Sequence, residues 1–113
     1  MHELGLAMQT LDIVLEEAGR QKAERVLSMR MRVGELSGVV PEALQFALET
    51  IMEDTPAEGA RINIDLVKPA CECASCGMEF EVINYDYSCR RCGEISSELS
   101  RGKEMNLISL EVV

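Results

Sequence analysis

Between Leu4 and Ala18 the apolar side chains fall at Leu4, Ala7, Met8, Leu11, Val14, Leu15 and Ala18. Steps of three and four line one face of an α-helix, and Gly19 follows as a C-terminal stop. The period then changes to two. Leu27, Met29, Met31 and Val33 alternate with Ser28, Arg30 and Arg32, which predicts a strand with one solvated face. Gly34 and Gly38 punctuate a loop. Pro41 stands where a first helical residue would, ahead of a second stripe at Leu44, Ala47, Leu48 and Ile51. Thr55-Pro56 and Gly59 break the chain, and Ile62, Ile64 and Leu66 alternate with Asn63 and Asp65 as a second strand. The apolar pattern resumes in a last strand from Met105 to Val112.

Between the second and last strands the character changes. From Pro69 to Gly93 cysteines and glycines cluster, and both the helical and the long-strand periods vanish. The economical reading is an α+β fold, two helices on a small three-stranded mixed sheet, with a zinc-ribbon or knuckle module inserted. The expected boundaries are 1–69 plus 98–113 for the main unit and 70–97 for the module. No internal repeat spans the chain beyond a CxxCG unit used twice.

Composition narrows the function. The 113 residues are 47% hydrophobic but only 4% aromatic and lack Trp, so the core rests on Leu, Val, Ile, Met and Ala. A chain this short buries a modest share of its surface, and a metal staple is a common supplement. The formal charge of −9 argues against a nucleic-acid partner, which needs a basic footprint, and suits cations or a basic protein surface. No apolar run approaches a membrane span, and Met-His-Glu-Leu lacks the basic start of an export signal. A cytoplasmic protein is the expectation. In that compartment Cys pairs are kept reduced, and five cysteines, an odd number, weaken a disulfide reading further.

Cys73-Ala-Ser-Cys76-Gly and Cys89-Arg-Arg-Cys92-Gly are the two CxxCG units. A two-residue gap lets a tight turn aim both sulfurs at one ion, and the Gly permits the positive φ that turn needs. Two such turns close an S₄ tetrahedron, which suits zinc; with no position left for water the site is structural. Iron in a rubredoxin-like centre is the rival metal. Cys71, two residues before Cys73, is expected to face away from the site as a small core residue or a spare thiol.

The N-terminus offers different chemistry. His at position 2 is too large for removal of the initiator, so Met1 is expected to stay. The Met1 amine, the His2 amide and the imidazole then close small chelate rings round one metal, with the Glu3 amide or carboxylate as a fourth donor. Nitrogen donors in that near-planar set suit Ni(II) or Cu(II). The first amides of a helix have no intrahelical partner, so their ligation breaks no helical bond, and an ionised amide is favoured by the helix dipole. A solvated terminal His is the plain alternative.

Taken together these residues resemble one family. Met1-His2-Glu3, the loop Val33-Gly34-Glu35-Leu36-Ser37-Gly38-Val39 with Pro41-Glu42-Ala43-Leu44, the turn Glu58-Gly59-Ala60, the paired CxxC units and Gly102-Lys103-Glu104-Met105 are similar to the HypA/HybF nickel metallochaperones. The resemblance covers nearly the whole chain. It implies a non-enzymatic cytosolic carrier that takes up Ni(II) for transfer at Met1, His2 and Glu3 and holds structural Zn(II) at Cys73, Cys76, Cys89 and Cys92. It implies, as partners, a hydrogenase-maturation GTPase and the [NiFe]-hydrogenase large-subunit precursor, and leaves homo-oligomerisation open. Many members have Pro after the third zinc cysteine where this chain has Arg90, a change that removes no ligand. A zinc-ribbon interaction module without transferable metal is the main rival.

Overall fold

The computed structural model describes residues 2–96 and 98–113, and of His2 the backbone alone. The expected nickel ligand Met1 and the His2 side chain therefore lie outside the described residues. In chain order the elements are α1 (His2–Arg20), β1 (Val26–Gly34), α2 (Pro41–Ile51), β2 (Arg61–Val67), β3 (Ala70–Glu72), β4 (Glu79–Glu81), β5 (Leu99–Arg101) and β6 (Met105–Val112). β1 is the centre of a three-stranded mixed sheet, parallel to β2 and antiparallel to β6. A parallel neighbour requires a crossover, and α2 supplies it.

Both helices pack on one face of that sheet. Val14 and Ala18 from α1, Leu44 and Leu48 from α2, and Met29, Met31 and Val33 from β1 share one buried cluster. The stripe on α1 is narrower than its sequence reading, because Leu4 and Met8 are exposed while Thr10 is buried with its hydroxyl donating to the Leu6 carbonyl. Gly19 is not the stop. The helix runs to Arg20, and the left-handed residue is Lys22 at φ 54°. Ala23 N–H then returns to the Ala18 carbonyl and Lys22 N–H to that of Gly19, the pair of bonds that satisfies orphan carbonyls at a helix end. On β1 a register shift between Val26 and Ser28 breaks the alternation at its start. Leu27 is consequently exposed, and Ser28 is buried with its hydroxyl on the Glu111 carboxylate at 2.6 Å.

The helices run in the same direction, and this places both of their N-termini at one end of the sheet. α2 starts just after β1 ends, and Val40 N–H donates to Glu3 Oε2 at 3.2 Å, drawing the first turn of α1 to the same place. At the opposite end Val113 exchanges backbone bonds with Arg25.

The chain between β2 and β6 builds a second three-stranded sheet, order β4-β3-β5 and wholly antiparallel. It adjoins the first at the end where the helices begin. Here backbones meet without side chains between them: a Cβ on Gly34 would lie 2.1 Å from the Gly102 carbonyl atoms, and one on Gly102 2.6 Å from Pro69 Cα. Four backbone bonds close the joint, from Gly34 N–H to Glu104, Glu35 N–H to Val67, Leu36 N–H to Gly102 and Val82 N–H to Pro69. The molecule is elongated as a result, 54 × 27 × 17 Å.

Candidate metal centre

Each CxxCG unit folds into the same closed turn, in two copies. Cys73 N–H donates to the Met78 carbonyl and Cys89 N–H to that of Glu94, both at 2.8 Å. Gly77 N–H returns to the Cys73 carbonyl and Gly93 N–H to that of Cys89, again both at 2.8 Å. The glycines take φ of 77° and 79°, a conformation that a side chain would strain. β3 delivers the first turn and β4 leads away from it, while the second hangs from an isolated bridge between Ser88 and Ile95. The sequence spacing that selects the cysteines also selects these turns. The Met78 and Glu94 carbonyls that close them carry no signature of their own.

The two turns face each other. The sulfurs of Cys73, Cys76, Cys89 and Cys92 all lie within 4.8 Å of one another. Cys73 and Cys92 are 3.5 Å apart and Cys76 and Cys89 3.7 Å. Sulfurs on a tetrahedron about 2.3 Å from a central zinc sit about 3.8 Å apart, so the donor set and its spacing fit that ion. Cys73 and Cys89 are buried, Cys76 is intermediate and Cys92 is exposed, so one corner of the cluster meets water.

The surroundings favour thiolates where each turn begins. The backbone N–H groups of Cys92 and Arg91 point at the Cys89 sulfur and hold its pKa at about 6, against burial that works the other way. Those of Cys76 and Ser75 lower Cys73 in the same manner. Cys92 also receives a backbone N–H, from Glu94, but proton sharing with Cys73, burial, and sharing with Cys89 and Cys76 outweigh it and push that thiol up to about 12. Without a cation the cluster thus keeps protons among its sulfurs; a divalent ion replaces them.

Cys71 takes no part in the cluster, but it does not face away from Cys73. A two-residue step along a strand returns the side chain to the same face, and both cysteines belong to the small core with Phe80, Val82 and Cys89. Burial pushes the Cys71 thiol up, consistent with an inert packing role. At the other metal end Glu3 stands in the first turn of α1 with its carboxylate engaged by Val40. That backbone partner was not visible in the sequence, because Val40 is distant in the chain and contributes only its amide. Among the described residues no other group of three or more His, Cys, Asp or Glu converges closely enough to share an ion. Among them, too, no helix is long and apolar enough to cross a membrane.

Comparison with known proteins adds a family. A family model described as "Hydrogenase/urease nickel incorporation, metallochaperone, hypA" matches residues 1–112. A hydrogenase maturation factor HypA from Picosynechococcus sp. is 41% identical over 113 residues, all of both chains. One from Methanocaldococcus jannaschii is 39% identical, over 95% of this chain and 93% of its own. The solution structure of the Ni metallochaperone HypA from Helicobacter pylori is similar at a TM-score of 0.70 and 25% identity, covering 98% of this chain and 97% of that one. A second HypA solution structure is similar at 0.76 and 27%, covering 100% and 97%.

Proposed function

This chain belongs to the HypA family, described for hydrogenase and urease nickel incorporation, and from that premise we propose that it binds Ni(II) at Met1, His2 and Glu3 and delivers it for [NiFe]-hydrogenase maturation. The family is one of metallochaperone maturation factors rather than of catalysts. The observation that carries the reading is the family match running from residue 1, joined to a first helix that begins at His2. A helix starting there leaves the amides of His2 and Glu3 without intrahelical acceptors, and so open to ligation. The terminal amine, those amides and the imidazole make a nitrogen-rich set suited to Ni(II).

Zinc at Cys73, Cys76, Cys89 and Cys92 plays the opposite part. Four protein sulfurs leave no open position, so that ion is structural and stays. Nickel is held largely by backbone at a helix end, where fraying disassembles the site and lets the cargo go. Amide ligation releases protons, so nickel affinity falls on acidification. In this reading the protein works in the cytoplasm, receives or passes nickel in contact with a maturation GTPase, and serves the hydrogenase large-subunit precursor.

A residue added ahead of Met1 tests the proposal, because it removes the free amine and leaves every side chain in place. Nickel binding in a calorimetric titration is expected to disappear while zinc stays at one equivalent. Retention of nickel by the extended chain would move the site elsewhere.

A further inference from the structure

One hairpin of the second unit holds an aromatic residue in a conformation its side chain opposes. Asn84 and Tyr85 form the tip between Ile83 and Asp86, which pair as an antiparallel bridge with Asp86 N–H on the Ile83 carbonyl at 3.0 Å. Both tip residues have positive φ, 52° and 62°. That is the turn for which Asn followed by Gly is the usual pair. Asn is at home there; Tyr is not. Lys22, another non-glycine with positive φ, is accounted for by its helix-ending bonds. Tyr85 has no such local account, and it is 77% exposed, so packing does not explain it either. Strain kept at an exposed aromatic is a reason to look for a contact made with something else.

The hairpin overhangs a small pocket at the joint between the two sheets. Glu35, Leu36, Pro69, Val82, Asn84 and Tyr85 line it, around a volume of about 210 Å³. Its chemistry is specific: apolar walls from Leu36, Pro69 and Val82, an aromatic ring from Tyr85, and one carboxylate from the exposed Glu35. This set matches a lysine or arginine side chain, whose stem packs on apolar surface while its charge meets a ring and a carboxylate. The chain's net charge of −9 adds a field that draws a basic surface. Glu35 also lies on the loop whose far end, Val40, holds Glu3 beside the start of α2, so a partner seated here is next to the first turn of α1.

We propose that the Tyr85 hairpin and Glu35 form a docking pocket for a basic side chain of a partner protein, the maturation GTPase, and that the strain at Tyr85 is retained for this contact. The proposal rests on the nickel-delivery reading for the choice of partner. Full-length zinc-loaded protein, as wild type, Tyr85→Gly and Glu35→Gln, is titrated with the GTPase by calorimetry. Melting curves, sedimentation and nickel titrations of the same samples accompany it. Tyr85→Gly is expected to weaken GTPase binding roughly tenfold while its melting temperature holds or rises, since glycine accepts the turn. Glu35→Gln is expected to weaken binding about fivefold and to lessen its salt dependence. Nickel binding is expected to be unchanged in both. Unchanged GTPase binding by Tyr85→Gly overturns the proposal. So does a drop in its melting temperature, which would give Tyr85 to the fold, or a wild-type dimer that Tyr85→Gly dissociates, which would make the occupant a second copy. Absence of GTPase binding to wild type overturns it as well, whereas loss of nickel binding by wild type would instead sink the delivery reading.

Discussion

The two sheets are held together by different means. Beneath the larger one, fifteen buried apolar residues form a single cluster. The smaller has five, and three of those are cysteines. A cluster of that size cannot offset the entropy of ordering some thirty residues, so the smaller unit depends on its ion while the larger does not. The metal chemistry divides the same way. The sulfurs sit at the centre of the unit they stabilise, and the nickel end is placed on a helix terminus whose unit is stable without it. A structural ion is thus built in where its loss would be costly, and a cargo ion is placed where its loss costs the fold nothing.

Removing zinc should break the comparison most visibly. Structural zinc contributes on the order of 10 kcal/mol to the small units that need it. Chelation, or Cys73→Ser, is expected to abolish amide-exchange protection in β3, β4 and β5 while the amides of Met29 and Met31 in β1 stay protected. Uniform loss across both sheets would mean the larger unit also leans on the ion. Next in size is Gly34→Ala, which puts a methyl group 2.1 Å from the Gly102 carbonyl atoms in the joint the two units share. Neither side of that contact is a movable side chain, so a cost of about 3 kcal/mol or more is expected in urea unfolding. A change below about 1 kcal/mol would show that the joint yields.

A smaller effect concerns protons. The folded Cys89 thiol has its pKa lowered from an ordinary 9 to about 6. A depressed pKa gives stability that is present above the unfolded value and lost as pH falls through the folded one. Zinc retention is therefore expected to persist down to about pH 6 and to fail below it, read with a colorimetric chelator during stepwise acidification. Release beginning near pH 8 would contradict the backbone N–H groups' hold on that sulfur.

How much of this was legible in the chain follows from the same contrast. Strands of seven to nine residues and helices of eleven and nineteen repeat their period often enough to be seen, and their helices and strands fall where the apolar pattern put them. β3, β4 and β5 have three residues each, too few for any period to show. The cysteine turns were legible for a different reason, since metal ligation fixes both spacing and the following glycine. Leu27 and Ser28 exchanged their expected environments because a bulge is a property of the partner strand as well as of the sequence. Lys22 in place of Gly19 as the helix end is a choice between neighbouring positions that propensity alone does not make. Gly34 and Gly102 marked themselves only as glycines; that they touch is a matter of topology.

The central claim is that the cargo site sits at the N-terminus, apart from the sulfurs. Its most direct test is calorimetric titration of zinc-loaded protein with Ni(II), wild type beside His2→Ala, with zinc content measured before and after. Wild type is expected to take up nickel without losing zinc. His2→Ala is expected to keep its zinc and its melting curve but to lose nickel binding. Full nickel affinity in zinc-loaded His2→Ala would contradict the claim.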